Sequence, residues 1–149
     1  REGYRDEDGQ IPEQLGLYRY DPEEENYERI SSHIYGGILR ANISRSGLFT
    51  LWADTVAPKA YNIRVEPTVF GTTGVQLRYD EEHSGIITQA SVITVNNQLG
   101  IIEFDYEDST ILYYRPGWTA AKGDTLEISY QIVDGAGNRV ERQTTHIVR

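Results

Sequence analysis

The sequence predicts an all-β protein: an antiparallel β-sandwich preceded by a smaller β-domain whose strands are too few for a sandwich of its own. Three observations predict it. Residues 125–133 alternate strictly, with Leu126, Ile128, Tyr130 and Ile132 on one face and Glu127, Ser129 and Gln131 on the other, which is the period of a half-buried strand. The run Asp134-Gly135-Ala136-Gly137-Asn138 then supplies a turn, and the alternation resumes through Val140 to Val148, so the segment reads as a β-hairpin closing an antiparallel sheet. Elsewhere, short apolar runs are separated by repeated Gly, Pro, Asn and Asp signals, and helix formers are sparse in the periodic stretches.

Composition narrows the function classes. A chain of 149 residues suffices for one ordinary domain or two small sandwich modules, and for a real core. The 14 basic residues are scattered among 23 acidic ones, giving a formal charge of −9. That balance argues against nucleic acid, which needs clustered Lys and Arg, and against an anionic membrane surface. With no Cys, disulfides, thiolate zinc sites and cysteine nucleophiles are all removed. No apolar run approaches the ~20 residues of a membrane-spanning helix, and no signal peptide is present. Because the chain starts at Arg1 and not Met, it is expected to be a piece of a longer or processed polypeptide.

In chain order, residues 1–16 mix Glu2, Asp6, Glu7, Asp8 and Glu13 with Gly3, Gly9 and Pro12, the composition of an acidic flexible arm. Asp6-Glu7-Asp8-Gly9-Gln10-Ile11 resembles the middle of a helix-loop-helix calcium loop, but Tyr4 and Leu15 stand where its first and last carboxylates belong, so an acidic linker is the better reading. Residues 17–54 form the C-terminal part of a β-domain, with short strands expected at 17–20, 27–31, 38–43 and 48–53 and turns at Gly36-Gly37 and Ser46-Gly47. Either this half pairs with the rest of the chain, or its missing strands lie upstream or come from another chain.

Pro58 stiffens the hinge that follows Asp54, and residues 55–149 are expected to form the sandwich. Its candidate strands are A 59–66, B 75–79, C 86–95, D 100–106, E 110–114, F 125–133 and G 138–148. Seven strands in about 90 residues match an immunoglobulin-like sandwich. Ile63, Val65, Val75, Leu77, Tyr79, Ile102, Phe104 and Tyr106 join Leu126, Ile128, Tyr130 and Ile132 as expected inward positions.

Asp54-x-x-Ala57-Pro58, Asp80 with Ser84-Gly85-Ile86, Lys122-Gly123, and Asp134-x-Ala136-Gly137-Asn138 together resemble the bacterial immunoglobulin-like modules, of the Big or fibronectin-III-like type, found in large exported or cell-surface proteins. Leu17-Tyr18-Arg19-Tyr20-Asp21 through Ser46-Gly47-Leu48-Phe49 to Asp54 is similar to the end of a module that precedes such domains. Some of those proteins carry a peptidoglycan-cleaving metallopeptidase. Its histidine and aspartate zinc motif is absent here, so the resemblance implies a module and not that activity. It also implies a bacterial, extracellular or cell-surface location, with the periplasm as the alternative.

In a seven-strand sandwich the linker into A shares a pole with the BC, DE and FG turns. That pole gathers Asp54, Asp80, Glu81, Glu82, Glu107, Asp108, Asp134 and Asn138. The candidate calcium ligands are Asp54, Asp80, Glu82, Asp108, Asp134 and Asn138, since hard oxygens from several loops suit that ion; the competing explanation is turn chemistry, which favours the same residue types. His33, His83 and His146 lack zinc-ligand spacing. The neighbours Asp80, His83 and Ser84 show none of the relay geometry of a catalytic triad. Tyr113, Tyr114 and Trp118 around Pro116-Gly117 would stack on sugars if exposed, though core packing explains them more simply.

The expectation is a non-enzymatic structural or interaction module, a spacer or adhesion-type domain. It requires no cofactor, with calcium as the candidate ion. Its partners are neighbouring domains of the same polypeptide, and beyond these other protein chains or cell-wall glycan. The alternatives are an accessory carbohydrate- or peptidoglycan-binding domain of a secreted hydrolase, or a subunit that assembles by strand complementation.

Overall fold

The computed structural model describes Asp8, residues 11–30 and residues 32–149. The calcium-loop resemblance at residues 6–11 lies largely outside the described residues. Described residues contain strands, turns and one short 3-10 segment, but no α-helix, so the chain is all-β. It divides into two compact units. The first takes the described residues up to Val56 together with Glu82–Gly85 and Asp134–Asn138; the second takes Ala57–Glu81, Ile86–Val133 and Arg139–Arg149.

In the first unit, β1 (Leu15–Asp21) lies between β2 (Asn26–Ile30) and, on its other edge, the later strand 49–53. The Asp21 carboxylate accepts the Glu23 N–H at 2.9 Å and starts the β1–β2 turn, the local bond that suits Asp to turns. Leu15 and Tyr18 are the buried apolar residues of this sheet. Strand β3 (Ser32–Tyr35) pairs with β4 (Ile38–Ala41) through Gly36-Gly37, whose φ values of 58° and 76° are the two positive angles a type I′ hairpin requires. β5 (Phe49–Ala53) completes the three-stranded sheet β2-β1-β5. The sequence reading has four strands here; β3 is the addition.

The second unit contains two four-stranded antiparallel sheets. Its elements are β6 (Lys59–Pro67), β7 (Thr73–Asp80), a 3-10 turn at Thr88–Ala90, β8 (Val92–Val95), β9 (Gln98–Leu99), β10 (Ile101–Asp105), β11 (Thr110–Tyr114), β12 (Thr125–Val133) and β13 (Arg139–Ile147). One sheet has the order β10-β11-β7-β6 and the other β13-β12-β8-β9. With the strands lettered by position this is the D-E-B-A and G-F-C division of an immunoglobulin-like sandwich, extended by the two-residue β9. Expected strand C is shorter than its apolar pattern suggests, because residues 88–90 turn before β8 begins. β9 arises from Asn96 and Asn97, both at positive φ (52° and 58°), a second type I′ turn that pairs Val95 with Gln98.

Inward faces of both sheets meet in one core. Val75, Leu77, Tyr79, Leu126, Ile128, Tyr130 and Ile132 are buried there with Ala60, Ile93, Val95, Ile111 and Tyr113, while Ile63, Val65, Ile102 and Phe104 pack against its margin. Alternation in β6 fails between Tyr61 and Arg64, where Asn62 sits at φ 50°. This bulge inserts one residue, so Ala60 and then Ile63 and Val65 can all face inward. Tyr106 departs from expectation: it is 63% exposed, because β10 ends at Asp105 and the chain turns there. The Asp105 carboxylate accepts the N–H groups of Glu107 (3.1 Å) and Asp108 (3.2 Å), and the Tyr106 ring stacks on Phe104 outside the core.

Ile128 is fully buried at the middle of β12. Ile128→Ala is expected to lower unfolding free energy by ~2–5 kcal/mol in urea titration. Glu127→Ala, on the opposite face, is expected to stay within ~0.5 kcal/mol of the parent.

Candidate functional site

The turn Asp134–Asn138 follows β12 and is organised by its own first residue. Asp134 Oδ1 accepts the N–H groups of Ala136 (2.9 Å) and Asn138 (2.8 Å), and Oδ2 accepts the Asn138 side-chain N–H at 2.9 Å. The Asp134 N–H donates to the Asn138 carbonyl at 3.0 Å. The Asn138 amide also donates to the Asp54 carbonyl at 2.9 Å. One side chain therefore ties this turn to the segment after β5, 84 residues away in sequence.

Asp54 is 1% exposed and Asp134 fully buried. Asp54 Oδ1 accepts the Val56 N–H at 3.1 Å, whereas Oδ2 is buried with no hydrogen-bond partner. Carboxylate oxygens of Asp54 and Asp134 lie within 4.8 Å of each other. Among the described residues, no ion pair includes either. Two buried carboxylates this close repel when both are charged, and their oxygens are hard donors suited to a divalent cation.

Two further features shape this part of the first unit. Gly135 donates its N–H to the Gly85 carbonyl at 2.7 Å, and any Cβ on it would collide with the Ser84 carbonyl oxygen; a glycine is needed because two backbones approach there. Tyr18 is fully buried, with its ring 5.6 Å from Trp52 and the Arg29 guanidinium 5.7 Å from its centroid. Arg29 donates to the Tyr18 hydroxyl (3.2 Å) and to the carbonyls of Gln14 (3.1 Å) and Leu15 (3.5 Å). Burial raises the Tyr18 phenol above its ordinary pKa; Arg29 opposes that, and the negative fields of Asp54 and Asp134 add to it. Burial likewise raises Tyr79 and Tyr113.

Of the six candidate ligands, the first unit brings together Asp54, Asp134 and Asn138, and Asn138 serves as a donor to the others and not as an oxygen ligand. Glu82 belongs to the same unit but is exposed. Asp80 and Asp108 belong to the second unit: the Asp80 carboxylate accepts the Tyr61 hydroxyl at 2.7 Å, and Asp108 is exposed, with only its backbone carbonyl accepting from Arg78 at 3.4 Å. His83 packs its ring 4.6 Å from Trp52, a pairing with no signal in the sequence. Tyr113 is buried and meets Trp118 edge-on at 6.4 Å, and Arg115 covers Trp118 at 4.7 Å, so these two rings form no open platform. The roles of Gly135 and Arg29 likewise have no signal in the sequence; the Asp-Gly pair predicts a turn and nothing about what approaches it.

Comparison with protein-family models, with curated proteins and with solved structures yields no match for the chain.

Gly135→Ala is expected to cost ~1–3 kcal/mol through overpacking, read as a lowered midpoint in thermal unfolding. For pH, the unfolded chain loses its phenolic protons near pH ~10 while the buried phenols still hold theirs. Stability contributed by Tyr18, Tyr79 and Tyr113 is therefore fully present below pH ~10 and declines as pH rises through their raised values. Urea midpoints measured from pH 8 to 11.5 should fall only at the upper end, and Tyr18→Phe should make that fall shallower.

Proposed function

We propose that this chain is a non-enzymatic structural and interaction module of a bacterial surface or secreted protein, working as a spacer between neighbouring domains of one polypeptide. The observation that carries the reading is how the buried polar groups are used. Asp134 binds backbone N–H groups of its own turn, and Asn138 joins that turn to the distant Asp54 carbonyl, an arrangement that holds chain segments in place. The Asp80 carboxylate is engaged by the Tyr61 hydroxyl. An exported location follows the resemblance of the sequence to modules of that kind.

A specific observation favours carbohydrate binding as the second reading. Phe70 is 63% exposed and stacks on Tyr114, with centroids 5.3 Å apart and planes at 28°. The Tyr114 hydroxyl donates to Glu103 at 2.8 Å, so a ring face and a carboxylate stand together, as sugar recognition uses. Strand complementation has less support. The long edge strand β13 carries Arg139, Glu141, Arg142 and His146 along its length, and charges on an edge discourage pairing with another chain.

Co-sedimentation with purified peptidoglycan and insoluble polysaccharides, run beside sedimentation velocity over a hundredfold concentration range, separates these readings. The spacer reading expects the chain to stay in the supernatant as one concentration-independent species. Pelleting that Phe70→Ala abolishes would replace it with sugar binding, and association that rises with concentration would replace it with assembly.

A further inference from the structure

We propose that Asp54 and Asp134 are ligands of a divalent-cation site of calcium type, independent of whether the module is a spacer or a binding domain. Two separate observations meet at this place. The first is the proximity of the pair: carboxylate oxygens within 4.8 Å, a separation that one Ca²⁺ with bonds of about 2.3–2.6 Å can span. The second is the orphan. Asp54 Oδ2 lies on a side chain that is 99% buried, given its 1% exposure, and accepts no hydrogen bond. Charged oxygens removed from water normally have a cation or several donors, and this one has neither among the described residues.

The hydrogen bonds around the pair leave lone pairs open for an ion. Asp134 already receives three hydrogen bonds from N–H donors, which fix the position of its carboxylate. Asp54 Oδ1 is held by the Val56 N–H, which fixes the carboxylate and leaves Oδ2 with its lone pairs open. Each carboxylate oxygen has two lone pairs, so Asp134 can keep its N–H donors and still bind a metal. Arg29, the cation nearest in role, is committed to Tyr18 and two carbonyls. Calcium is favoured over magnesium because it accepts irregular geometry and fills its six to eight positions with carbonyls and water, whereas Mg²⁺ demands a near-ideal octahedron.

The test uses the whole chain in chelator, in Ca²⁺ and in Mg²⁺, followed by thermal unfolding and by Tb³⁺ luminescence excited through the aromatic rings. The expected result is a midpoint about 5–10 °C higher at ~100 times the Ca²⁺ Kd, a smaller rise with Mg²⁺, and Tb³⁺ emission that Ca²⁺ displaces. Asp54→Asn keeps the bond to Val56 and removes the orphan charge. It should melt in chelator no lower than the parent and lose the calcium response, while Asp108→Asn keeps it. Asp134→Asn is the second variant, and Tb³⁺ displacement on the unmodified chain is a readout that depends on neither variant folding. An unchanged parent midpoint with no displaceable Tb³⁺ emission overturns the site. So does a full calcium response in Asp54→Asn, which would assign the effect to diffuse binding by an acidic chain. An equal response to Mg²⁺ overturns its calcium character.

Discussion

Everything in the second unit depends on burying one face of β12. Leu126, Ile128, Tyr130 and Ile132 are inward and buried, and the strand lies between β13 and β8. Side-chain period in a strand is two, so a slip of one residue would place Glu127, Ser129 and Gln131 in the core. Water excludes that alternative far more strongly than any turn could enforce the correct one. With β12 fixed, the register of β13 follows across nine paired residues and that of β8 across four. Tyr130 then joins the two sheets, donating its hydroxyl to the Ala60 carbonyl at 3.3 Å. Tyr113 makes a similar demand from the facing sheet. Its buried ring leaves no room for a side chain at position 100, which is glycine, and its hydroxyl reaches the Gln98 carbonyl at 3.0 Å.

The polar cluster of the first unit obeys a different rule. Apolar side chains need only area and shape, but a buried carboxylate needs partners for each oxygen. Asp134 meets the requirement locally, because a turn of five residues can fold its own N–H groups back onto one carboxylate. Asp54 meets half of it. That asymmetry separates a residue explained by turn chemistry from one whose second oxygen points to something more, and it distinguishes Asp54 from the exposed acids of the same composition. The close approach at Gly135 belongs to the same design, since the backbone of residues 82–85 could not come so near any residue with a Cβ.

The surface of the second unit carries charged side chains along its strands and exposed rings at Tyr61, Phe70 and Tyr106. Phe70 with Tyr114, and Phe104 with Tyr106, form stacked pairs, but only the first is joined to a carboxylate by a hydroxyl. Edge strand β13 carries Arg139, Glu141 and Arg142 in its first half, and charges on an edge discourage pairing with another chain.

Sequence by itself determined the all-β class, the seven main strands, both faces of β12 and most of the core, because alternation of apolar and polar residues is a local property that water reads directly. It also marked Asp54, Asp134 and Asn138 as members of one pole, since strand reversals dictate which turns share an end. Tertiary structure decided what alternation cannot express. The bulge at Asn62 shifts the phase of β6, the turn at Asp105 puts Tyr106 outside, and the Asn96-Asn97 turn creates β9. It also separated the six candidate acids and amides by environment, giving Asp80 to Tyr61, leaving Glu82 in solvent and burying Asp54 with a bare oxygen. Burial and hydrogen-bond partners come from residues dozens of positions apart, so no local pattern in the chain encodes them.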